Sequence, residues 1–250
     1  MNAAVLTRAA LPRIPSPRTP VEDSLSLRNT AAVAYQRVLH QAVRREVRML
    51  AELAQWAVAD DTERTGELTR HADLVARLLL QHHATEREHL WPALFRNIPT
   101  SKQDAVRVVV ADWTSRAVLL DHQLRDLSTV ARQWAVARTL PARDGFARAC
   151  SRVADAVDAH TAAEEAELLP LLATYLPEDE WLAVRRATRS SLSGREQMLV
   201  LGLALEDACA IDRARLLAGL SRPARTAWRV AGRRNFRTAV VRLRGAPPAA

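Results

Sequence analysis

HTAAEEAELLP, residues 160–170, and HHATEREHLWP, residues 82–92, stand 78 positions apart in a chain of 250 residues. At that offset His, Ala, Glu, Leu and Pro coincide, and Leu94 matches Leu172 just beyond. In each copy a Glu follows a His by four residues, Glu86 after His82 and Glu164 after His160. On an α-helix this spacing puts both side chains on one face, one turn apart. A neutral imidazole and a carboxylate so placed can reach the same metal ion. One such pair alone is more often a surface hydrogen bond, so the rest of the chain has to supply further ligands.

Outward from the two copies, apolar residues recur at helical spacing. The pattern predicts helices over about 67–95 and about 146–175, one around each copy. Val33, Leu39, Val43, Val47, Leu50 and Leu53 predict an earlier helix ending near residue 59 with His40 in its middle, and a further helix over about 102–140 carries His122. Residues 60–66, 97–101 and 141–145 hold the polar, Gly and Pro clusters that suit connections. No stretch alternates polar and apolar as a half-buried strand does, so the fold class expected is all-α. His40, His82, His122 and His160 fall one per helix, and the midpoints between them, residues 61, 102 and 141, lie in or at the edge of these connections. In an up-down-up-down four-helix bundle such midpoints bring all four imidazoles to one level. Four imidazoles with two or three carboxylates are too many for one tetrahedral zinc and suit two adjacent first-row ions.

This pattern resembles the hemerythrin-like, His-His-Glu cation-binding family over about residues 27–176. The resemblance implies a four-helix bundle around two non-haem iron ions bridged by carboxylates. It implies His40, His82 with Glu86, His122, and His160 with Glu164 as ligands, the two glutamates being the bridges. The implied partner is a small diatomic molecule or peroxide, bound, sensed or processed, with iron handling as a further role; ligands alone do not decide between enzyme and binding protein. Oxygen-carrying members have a second histidine four residues after the third-helix ligand, where this chain has Asp126. An anionic ligand there favours oxidised metal, and with it a sensor, redox or iron-handling role over reversible oxygen carriage. A ferritin-like site needs two Glu-x-x-His motifs, and only Glu86 with His89 forms one.

Other histidines are expected outside the ligand shell: His71 at the surface or a cap, His83 turned away from His82, and His89 orienting Glu86. Arg44, four residues after His40, should reach solvent or pair with a carboxylate.

The net charge of +8 is unevenly spread, because residues 211–250 carry ten Arg against the single acid Asp212. Residues 177–250 form a basic helical extension in which Trp228, Phe236, Val240 and Leu243 share a stripe among Arg225, Arg229, Arg233, Arg234, Arg237 and Arg242. The expected role of the stripe is packing against the bundle. The alternative is a basic tail meeting an anionic partner, a membrane surface or nucleic acid. Proline-rich residues 1–26 read as a disordered lead-in without a signal sequence. No apolar run is long enough to span a bilayer. With no Cys-x-x-Cys pair, a reducing cytoplasmic location is expected.

Overall fold

The computed structural model describes residues 30–246 and 248, so the expected lead-in lies outside the described residues. The described residues are helical, with no strand among them. Thr30 caps α1 (Ala31–Trp56) by accepting from the Val33 N–H. Asp61 caps α2 (Thr62–Thr85), which passes through a wide turn at Glu86–Leu90 into α3 (Trp91–Asn97). Next come α4 (Thr100–Ala137), α5 (Leu140–Glu167) and α6 (Leu169–Tyr175). The long helices α1, α2, α4 and α5 pack on one another, α1 and α4 most extensively on α5.

The connections are shorter than the sequence clusters suggest. Gly66 lies inside α2, because the Asp61 cap starts that helix ahead of it. Arg138, with φ 48°, ends α4 in the left-handed region, and Pro141 sits in the first turn of α5, where its missing N–H costs nothing. Pro92 and Pro170 occupy matching places in the two copies. Each breaks the regular ladder just upstream of itself, since proline has no N–H to give the preceding turn. In the first copy the ladder widens, and the Trp91 N–H reaches back to the Glu86 carbonyl. In the second copy it interrupts at Leu168.

Two apolar clusters fill the bundle. One runs from Leu39 to Ala57 on α1 and includes Leu68 to Leu79, Leu120 to Trp134, and Phe146 to Val157. The other holds Ala32, Val33, Leu90 to Ile98, Val106 to Ala117, and Leu168 to Val184. Between them lies a layer of buried polar side chains: Gln36, His40, His82, His83, Glu86, His160 and Glu164. Seven polar side chains at one level of a core are tolerated only if they bind one another or a ligand.

The extension comprises α7 (Glu178–Ala187), α8 (Gly194–Glu206), α9 (Ala210–Ala218), α10 (Arg222–Ala227) and α11 (Arg233–Arg244), with a wide turn at Trp228–Gly232. Ser193 and Glu196 form a reciprocal cap at the start of α8. Trp228, Phe236 and Val240 pack with Leu203, Leu205 and Ala42 of α1, while Leu243 joins the bundle's own core. The apolar stripe of the basic segment is therefore buried, and most of its arginines face solvent. Arg244 anchors the end of the chain, reaching Glu46 at 2.6 Å and Glu206 at 2.7 Å. His71 is not at the surface: its Nε2 lies 2.7 Å from Glu46 in the same buried cluster. No helix of the described residues is long and apolar enough to cross a membrane.

Candidate metal centre

His40 Nε2 lies 3.4 Å from Glu164 Oε2, and His82 Nε2 lies 3.3 Å from Glu86 Oε1. Donor atoms of His40, His82 and Glu164 all fall within 4.8 Å of one another. His40 is 0 % exposed and the two glutamates 1 % each. His160 stands on the same layer. Six buried atoms here have no hydrogen-bond partner among the described residues: Oε1 of Gln36, Nε2 of His40, Nε2 of His82, both ring nitrogens of His160, and Oε2 of Glu86. Leaving such groups unpaired costs on the order of 1–3 kcal/mol each. Cys150 and Cys209 are free and take no part.

Other residues hold the donors in place. His40 Nδ1 lies 3.0 Å from Glu165 Oε1, a contact that fixes the ring with Nε2 toward the centre. Arg44 pairs with Glu165 at 3.1 Å and donates to Thr161 Oγ1 at 2.6 Å, so the cation beside His40 is balanced by a carboxylate. Gln36, one turn before His40, donates to Glu86 Oε1 at 2.6 Å and to Glu164 Oε1 at 3.4 Å, and so ties the two carboxylates together. The Trp113 indole N–H donates to Glu164 Oε2 at 3.3 Å.

The charges follow from this packing. Burial opposes the imidazolium of His40, but the adjacent Glu164 and then Glu165 outweigh it and raise the pKa to about 9. Burial also pushes the Glu86 carboxyl well up, and the nearby Glu164 charge adds to the effect. Glu164 shifts down instead, because His40 overcomes its burial. His82 is held well below the ordinary histidine value by burial, and His160 falls to about 4 for the same reason, with His83 contributing. Among the protein groups alone, the shifts favour charge on His40 and Glu164 and disfavour it on Glu86, His82 and His160.

The third long helix differs from the expectation. His122 and Asp126 are both exposed on α4 and lie outside this cluster. At the level of the polar layer α4 presents Trp113 and Ala117, both fully buried; Leu120 already belongs to the other apolar cluster. The reason is the position of the turns. Residues on helices joined by a short turn share a level when they are equidistant from it. The connections centre on Ile98 and Pro99 and on Arg138 and Thr139, not on 102 and 141. The error doubles on the far helix, so the partner level of His82 and His160 is about residues 115–117. His122 is beyond that by at least a turn and faces outward.

What α4 does send inward is Asp121, which lies 2.6 Å from His83 Nδ1 and 3.1 Å from Arg87. His83 is buried with its ring 5.1 Å from that of His160 and 6.0 Å from Trp113. Asp121 is held below the usual carboxylate range because His83, then Arg87, overcome the effect of burial. His89 is half-buried, and no hydrogen bond links it to Glu86 among the described residues.

Residues 32–172 match the model of the hemerythrin HHE cation-binding domain, more than half of the chain. The chain belongs to that family. Comparisons with curated proteins and with solved structures gave no match. The family model is that of a cation-binding domain, and His40, His82 and Glu164 form a group that could hold an ion. Of the hemerythrin-like ligand pattern, the four residues of the two repeated copies and His40 are buried, while the third-helix positions His122 and Asp126 are exposed. Gln36, Glu165 and Asp121 carry no repeat signature. Only their spacing from His40 and Glu164 and, for Asp121, the apolar stripe of α4 could have pointed to them.

Proposed function

We propose that this hemerythrin-like protein binds two iron ions in an up-down-up-down bundle and uses them to bind, sense or process dioxygen, peroxide or nitric oxide. The observation that carries the reading is that donor atoms of His40, His82 and Glu164 lie within 4.8 Å of one another in a buried layer where ring nitrogens of His40, His82 and His160 and Glu86 Oε2 are unpaired among the described residues. The short connections and the packing of α1, α2, α4 and α5 support the antiparallel arrangement. His40 and His82 would hold one ion, with Glu86 and Glu164 as bridges. His160 would hold the other with the same carboxylates. His83 would supply the imidazole that α4 lacks, since its Nδ1 is engaged by Asp121 in the carboxylate–histidine pattern common to metal sites. Bound iron would supply a redox couple.

The chain's own residues do the rest. Glu165 and Asp121 orient imidazoles, Gln36 and Trp113 fix the carboxylates, and the two apolar clusters exclude bulk water. Because Asp126 faces solvent, it does not tune the metal, and the choice of a sensor or redox role over oxygen carriage rests on the replaced α4 histidine instead. Two free cysteines support a reducing, cytoplasmic location. An anionic partner for the basic segment remains a reading of its exposed arginines, without the apolar face that a membrane-lying helix needs. The test is metal analysis and an optical spectrum of aerobically purified protein beside His160→Ala. Iron with near-ultraviolet and visible bands, diminished in the variant, is expected; protein without iron or another transition metal contradicts the proposal.

A further inference from the structure

A cavity of about 300 Å³ lies between α1, α2 and the start of the extension. His82, Glu86 and Gln36 form its inner end, and Leu78, Trp181 and Val200 are among its walls. A diatomic molecule or peroxide needs about the volume of a water, roughly 30 Å³. The cavity is far larger and within the range of sites for small organic ligands. Two buried oxygens at its inner end, Glu86 Oε2 and Gln36 Oε1, have no hydrogen-bond partner among the described residues.

Arg185 of α7 lines the cavity from its exposed side. Unlike nearby Arg77, which pairs with Asp73 and Glu196, it makes no ion pair among the described residues. Its Nη2 donates to the Gly219 carbonyl at 3.2 Å, which fixes the guanidinium and leaves other N–H groups free to donate. A Cβ at Gly219 would collide with Arg185 Nη1, so glycine there lets the guanidinium lie close to the backbone. A neighbouring cleft of about 180 Å³ along α1 shares Arg185 and Val200, but it lacks the two unpaired oxygens.

We infer that the extension closes a pocket for a small organic acid with an apolar body, whose carboxylate pairs with Arg185 and whose body lies against the His82 and Glu86 side of the centre. The orientation follows from charge: Arg185 is the cationic side chain of the lining and stands at the outer end, so an anionic head belongs there. The inference rests on the metal reading only for what the inner end of the ligand meets.

The probes are 2-naphthoate and the uncharged 2-naphthamide, titrated calorimetrically into full-length protein as purified and after metal removal. Naphthoate is expected to bind about tenfold more tightly than the amide. Arg185→Gln should erase that difference. Thr188→Trp, which narrows this cavity alone, should block both probes, while Ala204→Trp, which lines only the neighbouring cleft, should leave them unaffected. Ser190→Trp, on the exposed linker at the same cavity, replaces Thr188→Trp if that variant unfolds. Absence of naphthoate binding, equal affinities in the wild type, a difference that survives Arg185→Gln, or blocking by Ala204→Trp overturns the inference. Metal content is measured in parallel: naphthoate selectivity in a wild type without metal sustains the pocket and refutes the metal reading, whereas metal without selectivity does the reverse.

Discussion

At the residue scale, the repeated His-x-x-x-Glu pairs are legible because an i, i+4 spacing has one meaning on a helix: the same face, one turn apart. His40 is legible from its place in the middle of a periodic stretch. The residues that orient these donors are not, because a carboxylate that fixes a histidine is contributed by another helix, and only packing chooses it. Glu165 is an instance. It neighbours Glu164 yet turns its carboxylate to His40 Nδ1 and Arg44. Its substitution separates positioning from ligation. Glu165→Gln is expected to weaken iron affinity by about 10- to 100-fold while leaving the number of ions at saturation unchanged. A competitive chelator titration measures this, and an affinity equal to the wild type would show that His40 needs no such support.

At the scale of elements, the helices and their order were readable from apolar periodicity, but their ends were not. The cap at Asp61 draws Gly66 into α2, and the left-handed Arg138 stops α4 before the Pro141 cluster. Errors of two or three residues at a turn leave the helix assignment intact, yet they double in the register between neighbours. That is why His122 seemed to share a level with His82 while Trp113 and Ala117 hold that level. The docking of the extension was readable from its apolar stripe, but the close approach of α8 to α11 was not. A Cβ on Gly202 would enter the Phe236 ring. Gly202→Ala should therefore cost about 1–3 kcal/mol, seen as a lowered denaturation midpoint, with far-ultraviolet helicity preserved. A midpoint equal to the wild type would mean that the ring moves aside freely. Arg244→Ala, which deprives buried Glu46 and Glu206 of a shared cation, should cost about 2 kcal/mol in the same assay.

At the scale of the whole molecule, two clusters of charge lie inside the fold, and they respond differently to acid. The polar layer around His40 and Glu164 leaves several atoms unpaired among the described residues. The junction of bundle and extension is fully paired around Glu46, with His71, Arg45 and Arg244 as partners. These cations outweigh burial, led by the His71 hydrogen bond, and lower the Glu46 pKa from 4.5 to about 2. A carboxylate with a depressed folded-state pKa contributes stability that is present above its unfolded value, and that is lost as pH falls through the folded one. The window is thus from pH 4.5 down to about 2, and the contribution is about 3 kcal/mol. Denaturant melts of wild type and Glu46→Gln across that range should converge at the acid end. A gap that stays constant with pH would refute the assignment.

The proposed ion-binding layer is built by α1, α2 and α5, with His83 standing in for a ligand from α4. Iron stoichiometry in reconstituted variants tests it most directly. About two ions per chain are expected in the wild type and in His122→Ala, about one in His83→Ala, and a loss of iron in His82→Ala. Loss of iron in His122→Ala comparable to that in His82→Ala, with His83→Ala unchanged, would contradict the proposal.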